Sequence, residues 1–295
     1  MTNKAWVATV VVLLVFAFDR WWRSRSMNEP GQPVRWGMLW LCAWIAALSH
    51  ILLDWTNNYG VRPFFPFNPR WYAGGIVFIF EPLIFAALLL ALVAPALTKL
   101  IDGEVGARRQ QFRGRGWAVF ALVFIVALWG WRAVEQHSAK QILLNDEAAQ
   151  DGGPVQVTKL ALSPYPVNPF MWQAVVETPG YYRVATVDAR SGAVQSAGEA
   201  DIFYKQPDTA ATLAAKQSWL GHVYLDWAQF PVVQETGIGQ MENGEPVIRV
   251  GFQDLRFDYG PAFMGGHMKN ALQATAYVNA TGQVLRMQVG ERIQK

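Results

Sequence analysis

Four apolar runs, at residues 5–18, 36–53, 74–97 and 117–131, crowd into the first half of the chain. Such runs overfill a single small soluble core, and a bilayer is the solvent that suits them. A helix needs roughly 20 residues to cross the hydrocarbon layer, with about 17 as a lower limit. The second and third runs reach that length unaided. The first and fourth reach it with their flanking tryptophans. Trp21, Trp22, Trp36, Trp117 and Trp131 all stand at run ends, where an aromatic belt belongs. Charged residues make up 16% of the chain, against about 25% in a soluble domain.

The expected architecture is α+β. A bundle of about four transmembrane helices (about 5–22, 36–54, 74–100 and 116–134) fills residues 1–135. A polar linker with helix character covers 136–153, and a soluble, mainly antiparallel β domain with one packed helix covers 154–295. Strand patterns occur at 155–162, 172–177, 181–187, 193–197, 247–259, 271–278 and 284–289, and a 3.6-residue period marks a helix at about 209–229. No internal repeat is evident. The apolar phase at 248–259 shifts near Gln253 and Asp254, as a β-bulge would make it do.

Arg20, Arg23, Arg25 and Arg35 follow or precede the first two runs, and Lys99, Arg108, Arg109, Arg113 and Arg115 separate the last two. The positive-inside rule puts both loops in the cytoplasm of a bacterial inner membrane, with loop 54–73 and the C-terminal domain outside. A secretory signal would end at a small-residue cleavage site, whereas arginines follow the first run here. Cys42 is the only cysteine, so neither an intramolecular disulfide nor a cysteine zinc site can form. The basic residues sit in loops and build no basic face, and no nucleic-acid contact is expected.

Ionisable groups at membrane depth are costly and usually functional. His50, Asp54 and Glu81 are three such groups. His50 and Asp54, four apart, share one helix face at the outer end of the second run, and Glu81 is expected about two turns into the third helix. Histidine with carboxylates suits zinc or a similar divalent ion, and a catalytic zinc keeps about three protein ligands with a position open for water. The same spacing also serves an interhelical hydrogen-bond cluster, or a proton relay in a transporter. The intervening loop holds Asn57, Tyr59, Arg62 and Arg70 among prolines and aromatics. It reads as a lid or re-entrant segment at the headgroup level, its arginines binding a phosphate or snorkelling from the interface.

The stretch Ser49-His50-Ile-Leu-Leu-Asp54-Trp-Thr-Asn57-Asn-Tyr59-Gly60-Val-Arg62, followed by Pro66-Phe67, Arg70-Trp71 and Phe78-Ile-Phe-Glu81-Pro82, resembles the membrane-bound metal-dependent hydrolase family, which includes inner-membrane proteins described as LexA-binding hydrolases. The resemblance covers about residues 36–100. It implies a divalent metal, zinc above all, with His50 and Asp54 as ligands. The site's position at the outer surface, with Arg62 and Arg70 beside it, points to an ester or phosphoester of a lipid or envelope component as substrate. The family pattern has Asp where this chain has Glu81, and it carries histidine motifs ahead of the first helix. No histidine precedes His50, so either the first helix is the remainder of a longer N-terminal region or the site has lost part of the family's ligand set.

In the C-terminal half, His222 and Asp226 read as a surface pair and His267 as a loop bystander. Asp254, Arg256 and Asp258 alternate as a solvated or paired strand edge. The competing function is a non-catalytic, membrane-anchored envelope protein with a β-rich binding domain.

Overall fold

The computed structural model describes residues 4–25, 34–104, 114–148, 156–166, 168–196, 198–241, 244–259, 272–290 and 292–294. The chain divides into two compact units, Met1–Glu81 and Pro82–Lys295.

The first unit holds α1 (Lys4–Arg25), α2 (Trp36–Thr56) and the loop that follows. The two helices pack together. The Trp44 indole donates to Thr9 Oγ1 at 2.9 Å, and Phe16 meets Trp36 edge-on at 4.8 Å. Ile45 and Leu48 are 57% and 52% exposed, so α2 keeps an uncovered aliphatic surface. Water penalises such a surface, whereas lipid does not.

In the second unit, α3 (Pro82–Glu104) packs on α4 (Gly114–Ala148) through Ile84, Ile125 and Leu128. Of the four expected spans, α2 and α4 are long and apolar enough to cross a membrane, while α3 contributes a shorter apolar stretch, Pro82–Leu97. Helix α3 begins eight residues later than expected. Gly74 and Gly75 resist helix, and Pro82 suits the first helical position, where its missing N–H costs nothing. Glu81 therefore precedes α3 and does not lie two turns inside it.

The part of the expected polar linker that is described, residues 136–148, has the helix character read from the sequence and continues α4 without a break. The 35 residues of α4 run about 52 Å, well beyond a hydrocarbon core of about 30 Å. After its apolar part, Arg132 lies buried over the Trp172 ring, donating to the Tyr165 and Pro169 carbonyls. Further on, Ala139 and Leu143 are fully buried against a sheet.

That sheet contains β1 (Lys159–Pro164), β2 (Met171–Glu177), β3 (Tyr181–Asp188), β4 (Ala193–Gln195) and β5 (Ile202–Tyr204). All pairings are antiparallel, in the order β1-β2-β3-β4, with β5 also on β3. Trp172, Ala174 and Val176 pack with α4, while Val175 packs with Phe230 and Leu255, so β2 is buried on both faces. The expected helix at about 209–229 is two helices, α5 (Ala210–Gln217) and α6 (Trp219–Trp227). Ser218 closes the first and caps the second by accepting from the Gly221 N–H at 3.1 Å. A Cβ on Gly221 would lie 2.2 Å from the Ala215 carbonyl oxygen, so only glycine permits this approach.

The second sheet runs β10-β9-β8-β7-β6 and comprises β6 (Pro231–Gln240), β7 (Pro246–Asp254), β8 (Ala274–Asn279), β9 (Val284–Val289) and β10 (Arg292–Gln294). Strand β7 stops at Asp254 and a 3₁₀ turn follows at Leu255–Phe257. This turn, rather than a bulge, shifts the apolar phase. Bulges occur instead at Glu235/Gly237 and Tyr277/Val278. Asp254 and Arg256 form no solvated edge: both are buried and paired at 2.7 Å.

The two sheets repeat one plan, helix followed by antiparallel meander, which the sequence had not disclosed. Ala139 and Leu143 meet the first sheet as Ala211 and Ala215 meet the second. The turn after β3 has Asp188 accepting from the Arg190 N–H at 2.9 Å, and the turn after β8 has Asn279 accepting from the Thr281 N–H at 3.2 Å. A glycine of positive φ completes each, Gly192 and Gly282.

Candidate functional site at the end of helix α2

The first unit carries the candidate site. Helix α2 leaves its last carbonyls without intrahelical partners, and near a membrane these groups need donors from the protein. The chain supplies them by turning back. The N–H groups of Gly74, Gly75 and Ile76 donate to the carbonyls of Trp55, Asn57 and Thr56 at 2.6, 3.2 and 2.8 Å, and Val77 also donates to Thr56. Between these points the loop is a narrow hairpin, with Val61 and Tyr72 exchanging two backbone hydrogen bonds at 2.8 and 2.9 Å.

Asn57 opens the hairpin: its Oδ1 accepts from the Tyr59 and Gly60 N–H groups at 2.8 and 3.2 Å. Gly60 has φ +90°, and a Cβ there would come 3.1 Å from the Tyr72 carbonyl oxygen. Arg62 donates to the Pro69 carbonyl at 2.7 Å and stacks over Trp71 at 4.9 Å. Arg70 lies over the Tyr72 ring at 5.7 Å. No aspartate or glutamate occurs between residues 55 and 80, so these two guanidiniums give the loop a positive field.

His50 Nε2 lies 3.5 Å from Asp54 Oδ2, as their helical spacing requires. The His50 side chain is 57% exposed and that of Asp54 27%. Glu81, by contrast, is buried in the segment ahead of α3. Histidine and carboxylate are donors that suit a divalent ion, and this pair fits part of a ligand set. Among the described residues, no three His, Cys, Asp or Glu side chains form a group able to hold a metal. Tyr59 is exposed at the hairpin's start.

Gly60, which stands in the stretch quoted for the family resemblance, shapes the start of the hairpin, whereas the role of Gly74 and Gly75 in tying its return to α2 has no local sequence signal. The Asn57…Gly60 spacing just past an apolar run is the signal that marks such a helix exit. In the C-terminal half, His222 and Asp226 are exposed on α6, and His267 lies outside the described residues.

Residues 5–139 match the sequence model of a family described as YdjM inner membrane protein. A protein of Bacillus subtilis described as the uncharacterized protein YfhP is 37% identical over 54 residues. That match takes in 18% of this chain and 16% of the relative, so the aligned part spans about a sixth of the relative's length. No solved structure matches. The match to an inner-membrane family and the two membrane-length helices make this a membrane protein.

Proposed function

We propose that the protein is an inner-membrane hydrolase that cleaves an ester or phosphoester of a membrane or envelope substrate at the exit of α2. The observation that carries this reading is the His50–Asp54 pair at 3.5 Å, set at the base of an acid-free loop bearing two arginines. His50 and Asp54 would serve as metal ligands, with Glu81 as the further carboxylate of the set. A divalent ion such as zinc would supply a hydroxide near neutral pH by lowering the pKa of its bound water. Arg62 and Arg70 would attract an anionic headgroup, and Asn57 and Tyr59 would line its approach. The β domain would lie outside the cytoplasm, because the arginine-rich loops mark the cytoplasmic side.

Metal analysis of the full chain purified in detergent tests the reading. Near-stoichiometric zinc that is lost in His50→Ala and Asp54→Ala supports it. Metal-free protein after zinc supplementation, or equal metal content in the variants, overturns it.

A second reading, a non-catalytic envelope protein anchored by its helices, is favoured by the lack of a three-donor group among the described residues. Full rescue of a null strain by the His50→Ala/Asp54→Ala double variant would select it.

A further inference from the structure

The hairpin after α2 ends in an apolar tip. Phe67 is 91% exposed and Phe64 57% exposed, the two separated by Phe65 and Pro66. Nothing in the hairpin's own fold uses the Phe67 ring. Phe64 meets Tyr72 edge-on at 5.7 Å and still leaves more than half of its surface open, whereas Arg62 covers Trp71 and lies 5.6 Å from Phe65. The tip's position is set by α2. Its 21 residues span about 31 Å, close to the hydrocarbon thickness. The backbone bonds from Gly74, Gly75, Ile76 and Val77 tie the loop to the last turn of that helix. The loop therefore sits at the bilayer boundary, with no acidic residue to oppose a phosphate layer.

We infer that the 63–68 tip is a membrane-inserting wedge: Phe64 and Phe67 enter the leaflet that α2 leaves, and Arg62 and Arg70 face its phosphates. The occupant of this apolar tip is the phospholipid of the chain's own bilayer. Aromatic rings favour the interface, and arginine stems can lie along apolar surface while their charged heads reach phosphate. The inference needs only that α2 crosses the membrane, and it stands or falls apart from any metal or hydrolytic chemistry at His50.

The test uses the full chain in nanodiscs of phosphatidylethanolamine and phosphatidylglycerol. Cys42→Ala removes the native thiol, and an environment-sensitive fluorophore is attached at Phe67→Cys, at Phe64→Cys in a second sample, and at Ala280→Cys in the exposed second-sheet turn as an aqueous reference. The expected result is blue-shifted emission at both tip positions. Lipids spin-labelled near the headgroup should quench the tip severalfold more strongly than Ala280→Cys, and aqueous iodide should quench it severalfold less. Iodide quenching equal to that at Ala280→Cys would overturn the wedge, because the tip would then stand in water. Protection from both quenchers would overturn it too, because the tip would then be folded on protein as a lid.

Discussion

At the scale of single residues, the costly decision is the burial of Asp254 with Arg256. The two carboxylate oxygens serve the guanidinium, the Arg256 N–H and the Gln229 N–H, at 2.7 to 3.2 Å. Removing one member strands the other charge, which costs about 3–5 kcal/mol. Asp254→Ala is expected to lower the stability of the β domain by that amount in a urea titration followed by near-ultraviolet circular dichroism. Asp254→Ala/Arg256→Leu should recover part of the loss. Tyr182 makes a second prediction. Burial, aided by Glu177 and Asp254, pushes its phenol up to about 12. A raised folded-state value means that its stabilising contribution is complete below the unfolded value near 10 and is lost as pH rises toward 12. Tyr182→Phe should flatten the fall in stability between those limits. Asp188 shifts the opposite way, held below the usual carboxylate range by the Ser191 hydroxyl and the Arg190 N–H. Its contribution is present above the unfolded carboxylate value and fades as pH falls through the folded one.

At the scale of elements, α4 is one helix with two solvents. Its first half carries exposed Val119, Leu122, Val123 and Val126, and its second half inserts Leu143 fully into the first sheet's core. Helix continuity follows from good helix formers between Ala133 and Leu144, with no glycine or proline among them. Arg183 of β3 clamps its far end by pairing with Asp146 at 3.1 Å and with Glu147. Leu143→Ala should cost about 2–5 kcal/mol, the range for emptying a buried leucine site. The loss should appear in β-domain unfolding, while detergent-solubilised α2 retains its helix signal. Most strands of the β domain were legible as alternation or turn chemistry, and 284–289 matched throughout. Strands β5, β6 and β10 were missed. In β6, Gly237 and Gly239 dilute the pattern and most residues are exposed, so there was little one-sided burial to read. The split between α5 and α6 was also hidden, because Ser218 leaves the apolar period intact.

At the scale of the whole chain, an α-helical membrane region precedes two helix-plus-meander modules. Their common plan escaped the sequence because packing needs only small or apolar residues at matching places, such as Ala139 and Ala211, and not the same letters. The orientation proposed for the β domain predicts that a thiol at Ala280→Cys, in a Cys42→Ala background, reacts with an impermeant maleimide added to intact spheroplasts. Labelling only after lysis would place the domain in the cytoplasm.

The candidate site shows most directly what each level decided. Sequence spacing determined that His50 and Asp54 share a helix face, because a helix fixes neighbours four residues apart whatever surrounds them. Apolar run length likewise determined that the chain meets a membrane. Only the tertiary structure decided where Glu81 lies and how loop 57–77 folds. These depend on which backbone donors reach the open carbonyls of α2, a contact between segments about twenty residues apart that no local period encodes.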